Sequence, residues 1–139
     1  GIGNYMRCLR LAVKLKARGH DCKILTDTKI NTTLLNKKIK HLNLYSKNKT
    51  FFSEVKDAHK FLDNTKSKGF VFADDYRLGV KWQKIIKKKQ KKLIIIDDFL
   101  QNYEADIVIN TKPNFLKKEV LKKTLSKYKN IRMLLGPSY

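Results

Sequence analysis

Leu93-Ile-Ile-Ile96 limits the fold of this chain more than any other stretch. A strand with one wet face alternates apolar and polar residues, and this one does not. A continuous apolar run bounded by polar residues marks a strand buried on both faces, and such strands belong to parallel sheets covered by helices. A similar run spans 69–73 (GFVFA), with others at 106–109 (DIVI) and 131–135 (IRMLL) and weaker candidates at 22–26 and 41–45. Helical patterns fall between them, over 5–18, 32–39, 53–64, 80–91 and 116–127. In the first, Arg7, Arg10, Lys14 and Arg18 share a polar face, with Tyr5, Leu9, Ala12 and Val13 opposite. Gly19 supplies its stop. Ser53 is a good N-cap for the third, which sets Val55, Ala58, His59 and Leu62 on one side. Alternating strands and helices predict an α/β fold: a Rossmann-like parallel sheet with helices on both faces.

With 139 residues, 42% of them hydrophobic, the chain suits one domain with a real core. No stretch approaches 18 apolar residues, so no membrane span is expected. The net charge of +20 invites a nucleic-acid reading, but 27 of the 32 basic residues are Lys and only 5 are Arg, the usual bidentate reader of phosphate and guanine. The Lys are spread along the whole chain. The one dense run, KIIKKKQKK at 84–92, has no interleaved aromatic residues for stacking bases. A solvated helix end is the better reading, and no nucleic-acid partner is expected. Cys8 and Cys22 form neither a C-x-x-C pair nor a zinc set with the histidines. They read as buried free thiols, which fits a reducing cytoplasm.

In open parallel sheets ligands bind beyond the carboxyl ends of the strands. Polar groups stand at those ends in series. Asp74, Asp75 and Tyr76 follow FVFA, Asp97 and Asp98 follow LIII, Asn110 follows DIVI, and GPSY, ending in Tyr139, follows the last strand. Adjacent carboxylates repel unless one binds something, so they are candidates to orient a hydroxyl, act as a base or hold a metal. Asp74 and Asp75 also suit a plain N-cap. Ahead of the first helix stand Gly1, Gly3, Asn4 and Arg7. Glycines let a ligand approach the backbone, and a helix N-terminus favours an anion. A plain turn with Asn4 as helix cap fits equally well. A glycine-rich turn of this kind normally follows a strand. The pattern therefore predicts a strand upstream of Gly1 and a continuation past Tyr139. His20, His41 and His59 do not share the strand-end placement and suggest no general base.

The stretches GIGNYMRCLRLAVKLKARGH, VFADDYRLGVKW, LIIIDDF, ADIVIN and LLGPSY, in that order, resemble the N-terminal domain of the UDP-2,4-diacetamido-2,4,6-trideoxy-β-L-altropyranose hydrolase family. These are GT-B-like enzymes of pseudaminic acid biosynthesis. The resemblance implies residues 1–139 as the N-terminal half of a GT-B-type fold, without its first strand and without the C-terminal domain that carries most of the uridine-diphosphate site. It implies hydrolysis at C1 of a UDP-activated amino sugar by water, with no metal or cofactor, in the cytoplasm. It implies Asn4 and Asp75 as the catalytic positions, and Gly1, Gly3, Arg7, Asp74, Tyr76, Asp98, Asn110 and Tyr139 as substrate-binding ones. The family loop reads G-x-G-H-x-x-R, and its histidine is replaced here by Asn4. The family's D-H-Y reads Asp74-Asp75-Tyr76. An amide orients water but does not take its proton at neutral pH. Three readings stay open: Asp75 as base with Asn4 positioning water, a different transfer from a nucleotide sugar, or an inactive relative. A GT-B glycosyltransferase is the nearest alternative enzyme, and a basic module binding nucleic acid or an anionic surface the alternative of another class.

Overall fold

A computed structural model describes residues 2–27, 38–43, 52–65, 68–90 and 92–138. The chain is α/β: among the described residues, parallel sheets of two and four strands are flanked by four helices, consistent with a Rossmann-like fold. It divides into two compact units, Gly1–Phe51 and Phe52–Tyr139.

In the first unit helix α1 (Ile2–Ala17) precedes strands β1 (Lys23–Thr26) and β2 (Lys40–Asn43), which pair in parallel with Ile24 opposite His41. Tyr5, Leu9 and Ala12, spaced one helical turn apart, join Ile24 and Ile39 in a small core. Val13, expected on the buried side, is 38% exposed, because it lies one residue round the helix from Ala12 at the border of the stripe. Gly19, at φ +87°, ends α1 in the left-handed conformation that a residue with a Cβ adopts at a cost. Most of the helix expected over 32–39 lies outside the described residues. Cys8 and Cys22 are half-buried rather than buried, and neither is in a disulfide.

In the second unit helix α2 (Glu54–Asp63) leads to β3 (Phe70–Ala73), α3 (Val80–Lys89), β4 (Lys92–Ile96), β5 (Ile107–Asn110), α4 (Lys118–Lys127) and β6 (Arg132–Leu135). A 3-10 turn, Pro113–Leu116, precedes α4 where a continuous helix from 116 was expected. The four strands lie side by side in sequence order, all parallel. Val71, Ala73, Leu93, Ile95 and Val108 pack with Ala58, Trp82 and Ile86 of the helices. Leu93 and Val108 are fully buried, each worth about 1.5–3 kcal/mol against exposure. Ile94 and Ile96, on the other face of β4, are buried too, which is why LIII carries no polar residue. The edge strand β3 differs. Its Phe70 is 62% exposed, and Val55 of α2 is exposed as well, so the apolar pattern overstated burial at both positions.

Two local devices shape this unit. Ser53 caps α2 by accepting from the Lys56 N–H, as expected. Helix α3 starts at Gly79, which has no side chain to cap it. Glu54 of α2 does so instead, its Oε2 accepting from the Trp82 N–H at 2.9 Å, while Asp57 accepts from the Trp82 indole N–H at 2.8 Å. The second device is the β4–β5 connection. Parallel neighbours usually need a crossover of a dozen or more residues with a helix. Here residues 97–106 cross with no helix. Gln83 of α3 holds the segment by accepting from the Glu104 N–H at 2.8 Å, and the Tyr128 hydroxyl donates to the Gln101 carbonyl at 2.8 Å.

Candidate functional site

Because β3, β4 and β5 are adjacent and parallel, their carboxyl ends form one rim. Ala73 pairs with Ile95, and Ile96 with Ile109. Asp74-Asp75-Tyr76 after β3, Asp97-Asp98-Phe99 after β4 and Asn110 as the last residue of β5 therefore stand along that edge in order. This much of the expected series is brought together within one unit. Gly3, Asn4 and Arg7 belong to the other unit, and Gly1 and Tyr139 lie outside the described residues.

Gly3 and Asn4 are not in a loop. Helix α1 begins at Ile2, so both sit in its first turn, and Arg7 lies in the next. Gly3 does not adopt a positive φ, and the space where its Cβ would point is open. The helical cost of one glycine, about 1 kcal/mol, is too small to stop an otherwise periodic helix. Asn4 is thus a residue of the helix and not its cap. The first turn contains no acidic side chain.

At the end of β3 Asp75 is clamped by Arg77. Oδ1 accepts from the Arg77 backbone N–H and from Nε, both at 3.0 Å, and Oδ2 accepts from Nε and from Nη2. Burial pushes the Asp75 carboxyl up. The side-chain and backbone hydrogen bonds from Arg77, with its charge, outweigh that and hold the group below the usual carboxylate range. The carboxylate is then ionised at neutral pH and a weaker proton acceptor than an unclamped one. Arg77 also stacks on Phe52, 5.0 Å from the ring centroid. Tyr76 beside them is 67% exposed.

At the end of β4 the two acids part. Asp97 is buried and organises its own loop. Its Oδ1 accepts from the Phe99 N–H at 2.9 Å, and its Oδ2 accepts from the Tyr103 hydroxyl at 2.6 Å. Burial, then the bond to Asp97 and its charge, push the Tyr103 phenol far above its ordinary value. Asp98 is half-buried on the rim. Asn110 is buried at the end of β5. Its Oδ1 accepts from the Lys112 N–H at 3.0 Å, which fixes the orientation of the amide, and its Nδ2 has no hydrogen-bond partner among the described residues. A buried donor left so costs about 1–3 kcal/mol. The rim therefore offers one clamped carboxylate (Asp75), the half-buried Asp98 and an unspent amide donor on Asn110. Among the described residues no three His, Cys, Asp or Glu side chains gather as a metal site.

Sequence reasoning passed over Arg77, Phe99, Gln101 and Tyr103. Arg77, two residues after Asp75, carried a readable signal, since that spacing suits a side chain folding back on a strand-end acid. The others lie in a segment without periodicity. No family model, curated protein or solved structure matches this chain. No helix among the described residues is long and apolar enough to cross a membrane.

Proposed function

We propose that this chain is the sugar-side domain of a nucleotide-sugar hydrolase that releases UDP from a UDP-activated 2,4-diacetamido-2,4,6-trideoxy sugar for surface-polysaccharide synthesis. The observation that carries the reading is the polar rim. Three consecutive parallel strands end in Asp74-Asp75, Asp97-Asp98 and Asn110, where an α/β sheet binds its ligand. The motif order along the chain supports the family, and the uncommitted Nδ2 of buried Asn110 suits a hydroxyl or carbonyl oxygen of a sugar.

In this reading the Asp75 carboxylate accepts a hydrogen bond from the attacking water and stabilises positive charge developing at the anomeric carbon. Arg77 fixes its orientation for both tasks. Proton abstraction is the lesser part, since a carboxylate with depressed pKa takes a proton poorly. The diphosphate is bound by a further domain.

The test is UDP release from the UDP-sugar by the protein that carries this domain, with and without an acceptor. Release without acceptor, lost about 100-fold in Asp75→Asn, is the expected result. Release that needs an acceptor assigns a glycosyltransferase instead. Unchanged turnover in Asp75→Asn removes Asp75 from the chemistry.

A further inference from the structure

Two aromatic side chains on the rim face water. Phe99 is 70% exposed and Tyr76 is 67% exposed, and with Gln101 they line a shallow cavity of about 270 Å³. Leaving a Phe in water forgoes the stabilisation that its burial would bring. The chain does more than tolerate this exposure, because the loop is braced to hold it. Asp97 accepts from the Phe99 N–H. Leu100, the next residue, sits at φ +58°, a left-handed conformation that a residue with a side chain adopts only under constraint. Tyr103 accepts from the Gln101 N–H at 3.0 Å, and the Gln101 amide donates to the Tyr76 carbonyl at 3.3 Å, which ties the two walls together. Strain of this kind persists where surrounding bonds over-determine it, and it concentrates at ligand sites. Lys112 adds a cation 4.9 Å from the Phe99 ring centroid.

We infer that Phe99 and Tyr76 form a platform on which one pyranose ring of the substrate stacks, with the Gln101 amide beside it, and that Phe99 determines sugar affinity. The inference rests on the proposed hydrolase function. Flat exposed rings meet the C–H face of a sugar, and the Gln101 amide and the Lys112 ammonium suit its polar edge. The cavity is just under the usual range of about 300–1,000 Å³ for ligand pockets, which suits a single ring and not a whole nucleotide sugar.

The experiment is ligand-observed NMR on the full chain with two probes measured separately, methyl N-acetyl-β-glucosaminide and UDP. Wild type, Phe99→Ala and Phe99→Trp are compared, and the thermal transition serves as the folding control. Phe99 is exposed, so all three fold alike. The expected result is glycoside binding by wild type, weakened about tenfold in Phe99→Ala and restored in Phe99→Trp, with any UDP signal unchanged. Equal glycoside binding by wild type and Phe99→Ala, or none by wild type, overturns the platform. So does sedimentation in which Phe99→Ala alone turns a dimer into a monomer, because the ring is then a subunit contact. The hydrolase reading stands or falls separately, on UDP release.

Discussion

Tyr103 links the buried Asp97 to the loop that carries Phe99, and its hydroxyl is the shortest side-chain donor that carboxylate has. Tyr103→Phe leaves Asp97 buried with a donor fewer. Stability in urea is expected to fall by about 2 kcal/mol, the size of a hydrogen bond to a charged group. The phenol also makes stability depend on pH. The folded chain holds the Tyr103 proton well above the point at which the unfolded chain releases it. Its contribution is therefore complete below about pH 10 and declines as pH rises beyond that, a slope absent from Tyr103→Phe. Asp75 has the opposite sign. Its lowered folded pKa gives stability present above the ordinary carboxylate range and lost as pH falls through the folded value. Arg77→Gln is expected to move the Asp75 titration, followed by carboxyl NMR, back up toward that range. The stability at stake is small, because the pair is partly open to solvent. At this scale the sequence displayed Asp75 and Asp98 as strand-end acids. It did not display the division of labour between Asp97 and Asp98, which depends on a tyrosine six residues on.

Among the elements, the strands were the most legible, because burial on both faces writes itself as LIII without any knowledge of partners. Helix starts were less so. Ser53 announces its own cap. Gly79 announces nothing, because the cap of α3 comes from Glu54, 25 residues earlier. Glu54→Ala is expected to cost about 1 kcal/mol in chemical denaturation, the usual value of a helix cap. Gly79→Ala would put a Cβ 3.0 Å from Glu54 Oε2, so it costs more in the native background than in Glu54→Ala. A double-mutant cycle measures that coupling. The helix-free crossover over 97–106 was equally unreadable. Hydrogen bonds that Gln83 and Tyr103 accept and Tyr128 donates hold it in place of periodic apolar contacts.

Over the whole molecule, 32 basic residues against 12 acidic ones make self-repulsion a term in stability. Some of the lysines are neutralised locally. Lys84 meets Glu104 at 3.6 Å, and Lys87 and Lys92 meet Asp106 at 3.7 and 3.8 Å, so the densest basic run is partly engaged with the protein's own acids. These exposed contacts are weak and the excess of positive charge is large. Added salt is therefore expected to raise the midpoint of thermal unfolding, most steeply below about 0.1 M, where screening changes fastest. A falling midpoint would mean that the ion pairs outweigh the repulsion.

The arrangement at Trp82 reaches into spectroscopy. The chain has a single tryptophan, and it is 2% exposed in the core of the second unit, with Phe61 edge-on at 5.7 Å and its N–H held by Asp57. Trp82 of α3, tied to α2 by Asp57 on its indole N–H and by Glu54 on its backbone N–H, makes the protein its own fluorophore. Its emission colour reads the docking of α2 on α3 without a label, and the first unit, which has tyrosines and no tryptophan, adds nothing to it.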